Sequence, residues 1–142
     1  MTETDRCPCG SREPFAACCG PLLDGAPAPT AERLMRSRYT AFALGRTAHL
    51  LRTWDPATRP ASLELEPGVV WRGLRVVDTW AGGPDDDAGV VEFRAAYRDA
   101  DGAALLAERS RFVRRGNDWY VGPAEVSVAV RRAPAPPPRS RR

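Results

Sequence analysis

Apolar residues recur in two different rhythms along this chain, and the change from one to the other divides it. From 30 to 44, Ala31, Leu34, Met35, Ala41 and Phe42 return every three to four residues, with Arg33 and Arg36 between them. That spacing predicts an amphipathic helix. Thr30 stands where a side-chain cap belongs, Glu32 lies in the first turn where a carboxylate complements the helix dipole, and Gly45 follows the last turn. A shorter helix is expected from Thr47 through His49, Leu50 and Leu51 to Trp54. Asp55-Pro56 and Arg59-Pro60 then interrupt helical continuation.

Beyond these breaks the rhythm shortens to two. The runs 69–80, 89–99, 103–115 and 117–130 are rich in Val and aromatics that alternate with polar residues, as in strands with one buried face. They are separated by Gly82-Gly83-Pro84-Asp85-Asp86-Asp87, by Asp99-Ala100-Asp101-Gly102 and by Arg115-Gly116-Asn117-Asp118, all turn-forming sequences. Short links between successive strands imply a curved antiparallel sheet. Helices first and strands afterwards imply an α+β fold. Three segments follow: a cysteine-bearing module over 1–22, an α+β domain over 27–130 reached through the Pro-rich hinge 24–29, and a disordered Pro- and Arg-rich tail over 131–142.

Composition changes this picture only through charge. The net charge is +3, yet Arg131, Arg132, Arg139, Arg141 and Arg142 crowd the last twelve residues without an acid among them. Setting those five aside leaves 16 Arg against 18 acidic residues, so the folded part is mildly acidic. A dedicated nucleic-acid surface would need a basic face of its own, and none is expected. The absence of Lys, Ile and Gln, beside abundant Ala, Gly and Pro, reads as genomic base composition. No apolar run approaches membrane-spanning length, and with no secretion signal after Met1 a cytoplasmic protein is expected.

The chemistry is concentrated at the start. Cys7-Pro8-Cys9-Gly10-Ser11 and Cys18-Cys19-Gly20-Pro21 hold all four cysteines within thirteen residues. Two thiol pairs flanking one short loop suit a tetrahedral metal, and zinc closed by Cys7, Cys9, Cys18 and Cys19 would be structural and without hydrolytic activity. A disulfide framework or a redox-active vicinal pair remains the alternative, disfavoured by the expected reducing compartment. Phe15, the one large apolar residue in the loop, is expected to cap the cluster.

These residues also carry a resemblance. Residues 7–20, CPCGSREPFAACCG, resemble the SEC-C motif, a small zinc-binding module. Cys19-Gly20-Pro21-Leu22-Leu23-Asp24-Gly25, the Thr30-to-Phe42 stretch, Trp71-Arg72-Gly73-Leu74, Val91-Glu92-Phe93, the Glu108-to-Phe112 stretch and Trp119-Tyr120 are similar to the bacterial YchJ family. The resemblance implies a nuclear-transport-factor-2-like cone, in which helices pack into the concave face of a curved sheet. The family's function is largely unknown, so what it implies is a fold and a Zn2+ rather than an activity. In the family pattern a His precedes the Glu equivalent to Glu108, and another precedes the Pro equivalent to Pro56. Here Ala107 and Asp55 stand at those places, which removes part of any catalytic machinery.

Outside the cysteines, Glu108 is the residue to watch. Alternation places Leu106, Glu108, Ser110 and Phe112 on one face, so a carboxylate is expected to enter a mostly apolar interior. Two roles are open. Paired with Arg36 or Arg38 it ties sheet to helix; unpaired, with Asp55 or Tyr39 assisting, it becomes the proton-transfer group of an isomerase- or dehydratase-like enzyme. Trp54, Trp71, Trp119, Tyr39 and Tyr120 either line a pocket for a flat ligand or, as is commoner, fill the core. His49 is expected at a helix surface or cap. The favoured reading is a binding module rather than an enzyme, with a protein partner docking on the zinc module or a small molecule entering the cone.

Overall fold

A computed structural model describes residues 5–131 of the chain. A 3-10 turn, Phe15–Ala17, leads into α1 (Cys19–Leu23), α2 (Ala31–Leu44) and α3 (Thr47–Arg52). Four strands follow: β1 (Val70–Ala81), β2 (Ala88–Asp99), β3 (Gly102–Arg115) and β4 (Asp118–Arg131). Helical spacing and period-two alternation therefore place every major element to within about two residues. The short α1 was not anticipated, because five residues carry no readable period. The tail expected over 131–142 lies, apart from Arg131 at the end of β4, outside the described residues.

α2 is bounded as its sequence dictates. The Thr30 hydroxyl accepts the Arg33 N–H at 3.1 Å, and Gly45 ends the helix at φ 73°, which glycine adopts without a side-chain penalty. α3 stops at Arg52, two residues short of Trp54. Trp54 instead forms a parallel bridge with Val121 of β4, with Asp55 N–H donating to the Val121 carbonyl at 2.9 Å.

The strands form one antiparallel meander in the order β1-β2-β3-β4. Irregular register at Trp71/Gly73 and Val76/Asp78 in β1, and between Arg109 and Phe112 in β3, bends the sheet as bulges do. α2 lies in the resulting concavity. Leu34, Met35 and Tyr39 from the helix are buried with Val91, Phe93, Ala95 and Phe112 from the sheet.

The same buried cluster contains Cys7, Cys9, Cys18, Cys19 and Leu22. The cysteine module is thus built into the core of the cone rather than appended to it. A module this small buries too little apolar surface to hold itself together, so it borrows the face of α2. Among the described residues no helix is long and apolar enough to cross a membrane.

Candidate functional site: a cysteine cluster and an aromatic cavity on opposite faces of one helix

Two tight backbone devices bring the four sulfurs together. Around the first pair, Cys7 N–H donates to the Glu13 carbonyl at 2.8 Å and Gly10 N–H to the Cys7 carbonyl at 3.2 Å. Gly10 sits at φ 81°, with the Leu74 carbonyl oxygen only 3.3 Å from where a Cβ would stand. At the second pair Cys18 has φ −126° and ψ −100°, outside the helical basin, while Cys19 opens α1. Successive side chains therefore do not fan apart as they would inside a helix, which is how adjacent cysteines serve one centre.

All four Sγ atoms lie within 4.8 Å of one another, buried and unbridged. Cys9 and Cys18 are 3.7 Å apart, and Cys18 and Cys19 4.0 Å. Metal–sulfur bonds of about 2.3 Å in a tetrahedron require sulfur–sulfur edges of about 3.8 Å. Disulfide sulfurs would be about 2.05 Å apart. Both the spacing and the donor set fit a thiophilic cation.

The electrostatics point the same way. Hydrogen bonds from Cys19 and then Cys7 pull the Cys9 thiol far below its ordinary value, whereas Cys19 is pushed up by its bonds to Cys7 and Cys9 and by burial. Burial first, then the nearby Cys9 charge, raises Cys18. Four buried thiols cannot all ionise against one another, and a dication at their centre removes that conflict.

α2 supplies the surroundings of the cluster. Thr40 Oγ1 is 3.7 Å from Cys7 Sγ, Arg36 Nη1 donates to the Cys9 carbonyl at 2.9 Å, and Arg33 Nη2 donates to the Cys18 carbonyl at 3.3 Å. From within the loop, Ser11 Oγ reaches Cys18 Sγ at 3.1 Å.

The opposite side of α2 faces a cavity of about 570 Å³. Its walls are the aromatic rings of Tyr39, Phe42, Trp54, Trp71, Phe93 and Phe112, with Arg38, Glu108 and Ser110 among them. Trp71 is fixed by its neighbours, its ring centroid 5.9 Å from Tyr39, 5.8 Å from Phe42 and 5.2 Å from Tyr97. Arg38 is buried; its Nη1 donates to the Leu50 carbonyl at 2.8 Å and to Thr53 Oγ1 at 2.6 Å, and its guanidinium carbon lies 5.9 Å from the centre of the Trp54 ring. Burial lowers Arg38 to about 10, with the Glu108 charge opposing the shift, so it stays cationic at neutral pH. Glu108 Oε1 accepts the Ser110 hydroxyl at 2.6 Å.

Several expectations change here. The cone is not filled: Trp54, Trp71 and Tyr39 line the cavity, whereas Trp119 is core. Tyr120 lies elsewhere, beside Trp119 at a small pocket of about 150 Å³. Arg36 does not meet Glu108, because it faces the cysteines and pairs with Glu32 at 3.0 Å; Arg38, a little over half a turn further on, faces the cavity instead.

Tyr39 contributes its ring to the wall, and burial raises its hydroxyl above the ordinary phenol value. Asp55 is not among the cavity-lining residues. It forms an ion pair with Arg115 at 3.2 Å and accepts the Ala57 N–H at 3.2 Å, and the Arg115 bond holds it below the ordinary carboxylate range.

His49 is neither at the surface nor a cap. It is buried between α2 and α3, with Nε2 2.9 Å from Ser37 Oγ and Nδ1 2.8 Å from Arg52 Nη2. Arg can only donate, so the ring proton sits on Nε2 and goes to Ser37, whose hydroxyl passes on to the Leu34 carbonyl at 2.7 Å. Sequence reading offered Arg38 for Glu108 and placed Ser110 on the same face, but it missed Thr53 as a partner of Arg38, since nothing local marks a side chain that meets its partner only between helices.

Known proteins match both parts of this chain. The family model described as the YchJ middle NTF2-like domain matches residues 30–122, and the SEC-C motif matches residues 4–21. A UPF0225 protein of Streptomyces coelicolor is 50% identical over 123 residues, covering 86% of this chain and 96% of its own. Another, from Chromobacterium violaceum, is 51% identical over 119 residues, covering 80% of this chain and 87% of its own. The solution structure of a SEC-C motif containing protein from Rhodopseudomonas palustris superposes with a TM-score of 0.75 at 33% identity, over 85% of this chain and 98% of that one. A crystal structure of a SEC-C motif containing protein from Psychrobacter arcticus superposes with a TM-score of 0.71 at 28% identity, over 91% of this chain and 86% of that one. With the cysteine module, the cone and the order of elements all in common, the chain belongs to the YchJ family of UPF0225 proteins, a SEC-C motif joined to an NTF2-like domain.

Proposed function

We propose that this is a cytoplasmic zinc-stapled receptor for a small molecule. Zn2+ held by Cys7, Cys9, Cys18 and Cys19 is structural, and the cone cavity is the binding site. The observation that carries the reading is the double use of α2. Arg33, Arg36 and Thr40 on one face hold the cysteine module, while Met35, Arg38, Tyr39 and Phe42 on the other form a wall of the cavity. When bound, the ion supplies cross-linking energy that a short loop cannot obtain from apolar burial. Four thiolates leave no open coordination position, so substrate chemistry at the metal is not part of the reading.

A cavity of about 570 Å³ with mainly apolar walls, six of them aromatic side chains, falls within the range that encloses drug-sized molecules. The outward residues of the cysteine module, such as Arg12, Glu13, Ala16 and Ala17, are small or charged and offer no apolar anchor, which favours the small-molecule ligand over a protein partner docked there. An enzyme reading would need a second proton-transfer group beside Glu108. Asp55 is committed to Arg115 and does not line the cavity, which favours the receptor.

Metal content and dye binding on the same full-length protein test both halves. One zinc per chain is expected by mass spectrometry of a reduced preparation, together with saturable binding of the uncharged dye Nile red that weakens when a chelator removes the metal. A zinc-free chain with undiminished dye affinity would refute the staple. A zinc-loaded chain that binds no dye would refute the receptor.

A further inference from the structure

Two side chains of opposite charge stand in the mostly apolar cavity walls, and their hydrogen-bonding capacity narrows the ligand. Arg38 uses Nη1 on the Leu50 carbonyl and Thr53 Oγ1. A guanidinium has five N–H donors, so the three on Nε and Nη2 are engaged by neither of these groups. Glu108 accepts from Ser110, and a carboxylate accepts several donors at once. Around both, Trp71 is clamped at 77° to Tyr39 and at 50° to Phe42, so the flat surfaces of the cavity are rigid before anything enters.

We propose that the cavity binds a planar, uncharged aromatic molecule carrying a neighbouring hydrogen-bond acceptor and donor on one edge, as in a lactam. Its carbonyl accepts from Arg38, and its N–H donates to Glu108. This rests on the receptor reading above and specifies its ligand. A carboxylate ligand would satisfy Arg38 but meet the Glu108 charge, and an ammonium would reverse the conflict. A purely apolar molecule would add no hydrogen bond to either group. A neutral dipolar edge offers each a further hydrogen bond without a charge conflict, and its ring stacks on the aromatic walls.

The test uses zinc-loaded full-length protein and five bicyclic probes of similar size, ranked by displacement of Nile red. The probes are naphthalene, quinolin-2-one, 1-methylquinolin-2-one, 2-naphthoate and 2-naphthylmethylammonium. Quinolin-2-one should bind at least tenfold more tightly than naphthalene and than either charged probe, and methylation of its nitrogen should abolish the advantage. Glu108→Gln, with unchanged near-ultraviolet circular dichroism, should reduce the advantage severalfold and leave naphthalene affinity alone. The N-methyl comparison requires no variant, so it stands even if Glu108→Gln does not fold.

Equal affinity for naphthalene and quinolin-2-one would overturn the polar-edge proposal while leaving the receptor intact. Tightest binding of either charged probe would do the same. Nile red binding that no probe displaces also overturns the proposed ligand class, whereas absence of Nile red binding sinks the receptor reading itself.

Discussion

Acid should loosen this fold through His49 before the ion-paired Asp55 and Glu92 titrate. Burial, followed by the Arg52 and Arg38 charges, lowers His49 to about 4 from an ordinary 6.5. Protonation would place a hydrogen on Nδ1, facing Arg52 Nη2 at 2.8 Å, so the bond that Nδ1 accepts from Arg52 would become a contact between two donors and two cations, while Nε2–H still donates to Ser37. Between these two values the unfolded chain binds a proton that the folded one refuses. Stability is therefore complete above about pH 6.5 and declines as pH falls toward 4. The whole shift corresponds to about 3 kcal/mol, of which about 2 kcal/mol should be lost by pH 5.

Asp55 and Glu92 do not blur this window, since their Arg partners hold both below the ordinary carboxylate range. Urea denaturation at pH 7.5 and at pH 5 measures the loss. His49→Gln, in which the amide takes the place of Nε2–H toward Ser37, serves as the reference that cannot titrate. The difference in slope between the two proteins also cancels any proton uptake by the cysteines. Equal slopes would show that His49 is not kept neutral by its buried site, and the assignment of Nδ1 as the acceptor from Arg52 would be wrong.

Two further changes probe the join between the cysteine module and the cone. Gly20→Ala sets a methyl 2.8 Å from the Phe15 carbonyl oxygen, which cannot move freely because it accepts the Cys18 N–H at 3.1 Å. A loss of about 1–3 kcal/mol is expected in thermal denaturation, with faster zinc release to a colorimetric chelator. Unchanged release would mean that the turn carrying Cys18 and Cys19 is not rigid. Arg36→Gln removes the charge-assisted bond to the Cys9 carbonyl and the partner of Glu32, at a cost of about 1–2 kcal/mol given their partial exposure. A variant as stable as the parent in urea would show that this clamp does not join module to cone.

Much of this was written locally in the chain. Thr30 and Gly45 bound α2 because a cap and a left-handed terminus act within one turn of the residues that encode them. The four strands follow from alternation, which states which residues share a face, and Leu106, Glu108, Ser110 and Phe112 do line one cavity. The cysteine cluster was legible because its donors lie close in sequence and their chemistry admits few partners.

What the chain could not show was how those faces meet. Alternation turns Phe93 and Phe112 inward without saying whether α2 fills the space above them, so the aromatic residues read as core until the cavity separated Trp54 and Trp71 from Trp119. Arg36 and Arg38 are two residues apart and alike in sequence, yet their angular separation on the helix sends one to the Cys9 carbonyl and the other to the cavity. Asp55 finds Arg115 across sixty residues, and His49 is buried only because α3 folds back on α2. Each of these pairings depends on the distance between elements after folding, and only the tertiary structure sets that distance.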